Sequence, residues 1–159
     1  MSREAIFKAL FALTEGVEWN VGTEDAPVMQ GFGASRTRRI ALFTDVPVPA
    51  QPWLGQAEHR ETFGQVTNRP YRNVYGASWI VYHSAGKNKK FEPTIVNNLI
   101  LDALEKAIAP KPVDPGFLDR RNTLSGLVHH CYLDGEVLKD PGDIDDQAML
   151  VIPIRILVP

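Results

Sequence analysis

Apolar positions recur at helical spacing from the start of the chain, at Ile6, Phe7, Leu10, Phe11 and Leu13. Ser2 stands where its hydroxyl can accept from an orphan N–H of a first helical turn, and Gly16 supplies a stop, so the pattern predicts a helix over 3–15. Residues 17–36 show no comparable period and contain Gly22, Pro27, Gly31 and Gly33. They predict a loop, of a length that in a compact domain tends to be functional or disordered. Thr37–Thr44 predicts a strand through Ile40, Leu42 and Phe43, after which Pro47, Pro49 and Pro52 forbid regular ladder pairing. A weaker strand is predicted over Trp53–Thr62. A stronger one is predicted over Arg72–His83, where Val74, Tyr75, Trp79, Ile80, Val81 and Tyr82 crowd together. The loop near 84–92 is basic, with Lys87, Lys89 and Lys90.

The clearest helical stripe follows. Pro93 suits a first helical position, where its missing N–H costs nothing, and Ile95, Val96, Leu99, Ile100, Leu104, Ala107 and Ile108 line one side before Pro110 ends the run. Leu124–Lys139 predicts a strand pair or one long strand bent near Asp134-Gly135, residues 140–146 an acidic turn, and Gln147–Val158 a final strand. That last strand is apolar on both sides, which calls for a central position or for a second layer lent by another subunit. Pro153 tilts the expectation toward an edge or a bulge, and an apolar edge left bare would invite pairing with another chain. The simplest packing of this order is α+β: a mostly antiparallel sheet of four to six strands with two helices on one face, in one domain of 1–159.

Composition narrows the class of function. At 159 residues, 44% hydrophobic and 23% charged, the chain has an ordinary globular balance and is long enough to bury a core without metals or disulfides. Seventeen basic against 19 acidic residues give a net charge of −2, which argues against a general nucleic-acid binder. The single cysteine, Cys131, rules out an internal disulfide and fits a reducing compartment. The first residues carry no secretion-signal pattern, and no apolar run approaches the roughly 20 residues that span a bilayer, so the expectation is a chain made in the cytoplasm with no membrane partner.

Motifs for chemistry are missing. Gly31-Phe32-Gly33-Ala34-Ser35-Arg36 has the look of a phosphate-binding loop but lacks the strand before and the helix after it. Ser78 follows Gly76 and Ala77, yet Ile80 stands where a nucleophile elbow needs glycine. His129 and His130 are neighbours in a strand and point to opposite faces, and with His59 and His83 they show no metal-ligand spacing. The Asp140–Asp146 run fails as a calcium loop because Ala148 and Ile154 fall where the turn glycine and the bidentate glutamate belong. The expectation is therefore no catalytic residue, no cofactor and no metal.

Several phrases carry a resemblance. They are Thr37-Arg38-Arg39-Ile40-Ala41-Leu42-Phe43-Thr44-Asp45-Val46-Pro47, Gln51-Pro52-Trp53-Leu54, Val81-Tyr82-His83-Ser84-Ala85-Gly86-Lys87, and Gly126-Leu127-Val128-His129-His130-Cys131. Gly135-Glu136-Val137-Leu138-Lys139-Asp140-Pro141-Gly142-Asp143 and Ile152-Pro153-Ile154-Arg155-Ile156-Leu157-Val158-Pro159 complete the set. With the order of elements, they resemble the tail terminator family of long-tailed bacteriophages, a group of minor tail proteins.

The resemblance implies a structural protein of the virion that forms a ring, usually a homohexamer, on the finished tail tube. There it would halt tube growth and present a docking surface to the head-tail connector, with DNA only as cargo passing through its lumen. A terminator must match the tube on one side and refuse another tube ring on the other, since a heterologous contact that does not close propagates. The residues expected at interfaces are Lys87, Lys89 and Lys90, facing the lumen or an acidic neighbour, and Ile152, Ile154 and Ile156 of the last strand. The 17–36 loop is a further candidate. The competing expectations are another neck or tail-completion protein, a small-ligand-binding or enzymatic α+β domain using His83, His129 and Asp140, and a plain dimeric module.

Overall fold

The computed structural model describes residues 2–64, 72–84, 92–110, 120–142 and 147–159. Helix α1 spans Arg3–Ala12, and the Ser2 hydroxyl caps it by accepting from the Ala5 N–H at 3.2 Å. Its end tightens into turns from Leu13, Thr14 and Glu15 back to Leu10, Phe11 and Ala12, and Gly16 leaves with φ +68°, the left-handed region open to glycine. Helix α2 spans Pro93–Ile108, with Pro93 opening it. Both helices turn their apolar stripes the same way. Ile6, Phe7 and Leu10 of α1 and Ile100, Leu104 and Ile108 of α2 share one core cluster.

The main sheet holds β3 (Arg36–Thr37), β4 (Trp53–Phe63), β5 (Asn73–Ser84), β8 (Gln147–Val158), β6 (His130–Leu133) and β7 (Leu138–Asp140). Its order is β3-β4-β5-β8-β6, with β7 also on β8; only the short β3–β4 pairing is parallel. A separate hairpin pairs β1 (Glu18–Asn20) with β2 (Met29–Gly31). The fold is thus α+β, with a mostly antiparallel six-stranded sheet. The helices cover the face that presents Leu54, Gln56, Tyr75, Ala77, Trp79, Val81, Leu150, Ile152, Ile154 and Ile156.

Four differences from the sequence reading have physical reasons. Residues 17–36 are not simply a loop: Trp19 and Phe32 pack edge to face at 5.0 Å inside the core, and that anchor gives the hairpin a base. The predicted Thr37–Thr44 strand shrinks to Arg36–Thr37, and Phe43–Asp45 forms a 3₁₀ turn. The prolines downstream leave that stretch without a strand to pair, and Ile40 and Leu42 stand 63% and 68% exposed. Residues 124–129 are a turn rather than strand, with Leu124, Ser125 and Gly126 all at positive φ, so pairing begins only at His130.

The last difference concerns the tilt of β8 toward an edge: the strand takes the central alternative, paired with β5 along one side and with β6 and β7 along the other. Pro153 is tolerated there because its peptide faces the gap between β6 and β7, as its carbonyl shows by accepting from the Asp134 N–H at 3.1 Å. The missing donor therefore breaks no ladder bond. Asp134–Val137 interrupts the edge, so of the strand pair or single bent strand expected over Leu124–Lys139 the structure has two short strands, both paired with β8 rather than with each other.

Candidate functional site

The face of the sheet away from the helices is only partly covered. At one end the segment 41–51 folds over it: Trp53 and Tyr82 stack at 5.2 Å, Val46 packs on them, and the Tyr82 hydroxyl donates to the Ala41 carbonyl at 2.9 Å. Gln51 ties the same segment down by donating from Nε2 to the Val46 carbonyl and to Gln147 Oε1. Beyond that cover, Ile80, Val151 and Leu138 form a cross-strand apolar row, with Leu138 57% exposed.

Further along this open face lies a polar cluster that none of the sequence motifs flagged. The β4–β5 register slips between Glu58 and Arg60. Glu58 stays on the helix side, where it accepts from Arg38 and Gln56, whereas His59 meets Ser78 on the open side, Nε2 to Oγ 2.9 Å. Arg60 then pairs across the ladder with Gly76, and Gly76 with Arg155 on the next strand. Arg155 holds Asp134 at 3.0 Å. A cleft of about 210 Å³ is lined by His59, Arg60, Thr62, Gly76, Asp134 and Arg155 among others.

On the helix side, charge and polarity fasten elements rather than await a ligand. Arg38 joins Glu4 of α1 to Glu58 of β4, and these pairings hold the Glu4 carboxyl below its usual range. Gln56, 1% exposed, donates to the Phe7 carbonyl at 3.0 Å and accepts from Trp79 Nε1 at 3.2 Å. Arg36, the last residue of the glycine-containing phrase, donates to the Phe11 carbonyl and to Thr14 Oγ1 and lies 4.7 Å above the Phe11 ring. It caps the end of α1, where a cation complements the helix dipole.

The expected interface residues fare unequally. Lys87, Lys89 and Lys90 lie outside the described residues. Ile152, Ile154 and Ile156 are 0%, 3% and 0% exposed beneath the two helices, so they belong to the subunit's own core and offer nothing to a neighbouring copy. Burial of β8 comes from within the chain, which corrects the expectation of a bare apolar edge.

The residues of the enzymatic alternative do not assemble. His83 and Asp140 are linked through Asn97, with Nε2 2.5 Å from Asn97 Oδ1 and Asn97 Nδ2 donating to the Asp140 carbonyl at 3.3 Å, but His83 is 4% exposed. His129 receives Arg121 at the far end of the sheet, on the β6 side. Ser78 sits mid-strand in β5 with no elbow around it. Among the described residues no group of three or more His, Cys, Asp or Glu converges to hold a metal ion, and no helix is long and apolar enough to cross a membrane. No protein-family model and no curated protein sequence matches the chain.

Two segments of the remaining surface carry groups of exposed apolar side chains, besides single ones at Phe63 and Ile95. Val28 and Met29 at the β1–β2 hairpin are 57% and 55% exposed, and Ile40, Leu42, Phe43 and Val48 on the 38–50 segment are 63%, 68%, 45% and 41% exposed. The second group carries one of the resemblance phrases and sits beside a cleft lined by Arg39, Ile40, Ala41, Asp45 and Pro47.

Proposed function

We propose that this chain is a structural assembly protein that acts as the tail terminator of a long-tailed phage, forming a homohexameric ring on the end of the tail tube. The observation that carries an assembly role is the exposed run Ile40, Leu42 and Phe43 with Val48. Scattered apolar side chains are ordinary on a protein surface, whereas a contiguous group on one segment marks a contact. The choice of terminator among assembly proteins rests on the sequence phrases of that family, one of which supplies this very segment.

The α+β build suits the role. Two fastened helices and a long β5–β8 ladder give a rigid body, while the 38–50 segment and the β1–β2 hairpin expose apolar groups on its surface. In a ring, one such segment would seat on the next subunit in a heterologous contact whose rotation closes after six copies. The tube end and the head-tail connector would take the two rims, and DNA would pass through the lumen.

The test is assembly itself. Native mass spectrometry or light scattering is expected to find about six subunits per particle, in line with closed cyclic rings, either alone or on addition of the tail tube protein. The chain is also expected to arrest a growing tube at sub-stoichiometric amounts. A strict monomer that leaves tube growth untouched would overturn the reading.

A further inference from the structure

The polar cluster on the open sheet face has the features of a binding site for a small anion, and ring assembly does not require it. The β4 bulge is its first device. An extra residue in one strand of an antiparallel pair re-aims side chains, and here it brings His59 and Arg60 to the open face in succession while Glu58 and Glu61 remain with Arg38 and Arg3 on the other.

Gly76 is the second device. It stands between Arg60 and Arg155 in the cross-strand row, and a Cβ on it would come within 3.2 Å of Arg60 Cβ and 3.8 Å of His59 Cε1. The glycine leaves open the space that a side chain would fill, and the result is the cleft of about 210 Å³. Two inter-strand spacings separate the backbones of the two arginines, roughly 9.5 Å. Long guanidinium side chains can close on one group held at that distance.

Charge balance points the same way. Asp134 offsets Arg155, at side-chain exposures of 38% and 49%, and Arg60 meets no carboxylate among the described residues. The charge of Arg60 is the one left without a carboxylate, and an anion entering the cleft would offset it. The planar forks of arginine match the paired oxygens of phosphate better than any other side chain does, and His59, which also lines the cleft, adds a hydrogen-bonding group on the same face.

The geometry points to the Arg60–Gly76–Arg155 notch as a binding site for a phosphate-type oxyanion. Such a group arrives either as free phosphate or as a phosphodiester of a nucleic-acid strand. The site is built from one chain's residues, so it stands or falls separately from the ring.

Calorimetric titration of the intact protein at low salt tests it, with inorganic phosphate as one probe and a dinucleotide bearing a single phosphodiester as the other. One saturable site per chain is expected for at least one probe, weakened about tenfold or more by Arg60→Gln and by Arg155→Gln, the scale of one lost charge-assisted bond. Gly76→Ala, which keeps both charges and fills the notch, is expected to weaken binding too. Arg39→Gln, an exposed arginine on the 38–50 segment, is expected to leave it unchanged. Saturation by phosphate alone assigns the free ion, and saturation by the dinucleotide assigns the strand. The proposal is overturned if neither probe saturates, or if Arg39→Gln weakens binding as much as Arg60→Gln, provided melting curves show Arg60→Gln folded.

Discussion

His83 is 4% exposed, and its Nε2 meets Asn97 Oδ1 while Asn97 Nδ2 donates to the Asp140 carbonyl. Because the amide nitrogen is already committed as a donor, Asn97 Oδ1 must accept, so His83 carries a proton on Nε2. Burial pushes its pKa below the ordinary histidine value, against a smaller upward pull from Asn97. Between that lowered value and about 6.5 the unfolded chain takes up a proton that the folded chain refuses, so stability is fully present above about pH 6.5 and falls as the pH drops through the window. Acidification from about pH 7.5 to about pH 5.5 is expected to lower the Tm of the native protein more than that of His83→Gln, which titrates no proton there. Equal slopes in thermal melts would show that His83 is not the group responsible. Cys131 is buried in the same way, and its thiol is pushed up to about 12. It is expected to resist a thiol-reactive dye in the native state and to react at once in denaturant.

At the level of elements, β8 organises the molecule. Its even-numbered residues Ala148, Leu150, Ile152, Ile154, Ile156 and Val158 are all buried, and the odd ones from Gln147 to Leu157 are half-buried or exposed. Both sets are largely apolar in sequence, so composition does not reveal which side meets the helices. Ile152→Ala is expected to cost about 2–5 kcal/mol, the usual range for opening a cavity in a packed core. Val151→Ala, on the uncovered side, is expected to cost about 1 kcal/mol or less. Denaturant midpoints for the two variants measure the difference directly, and a reversal would place the helices on the wrong face.

For the whole molecule, the helices protect one side of the sheet and leave the other to the 41–51 cover, the Ile80–Val151–Leu138 row and the arginine notch. Exposed apolar residues group on the outer side of the 38–50 cover and at the β1–β2 hairpin, besides single ones such as Phe63 and Ile95 elsewhere. Leu42→Asp combined with Val48→Asp is expected to leave the Tm within a few degrees, since these side chains are 68% and 41% exposed in the single subunit, with shifts of this size corresponding to about 1 kcal/mol or less. The same pair is expected to reduce the assembled mass in native mass spectrometry. An unchanged particle would remove this segment from the contact.

The sequence by itself determined the two helices, the β4, β5 and β8 strands and the α+β class, because these follow from the spacing of apolar residues, the Ser2 cap and the proline stops, which act within a few residues of themselves. The same local signals misread 37–44, where apolar residues found no strand to pair with, and 17–36, whose hairpin depends on Trp19 reaching a core built by distant residues. Only the tertiary structure decided that β8 is interior, because a strand's neighbours are chosen by the packing of the whole sheet. That choice turned Ile152, Ile154 and Ile156 from a contact surface into core. The notch was equally out of reach: Arg60, Gly76 and Arg155 are scattered in sequence and meet only through ladder register, and a one-residue bulge sets which face they share.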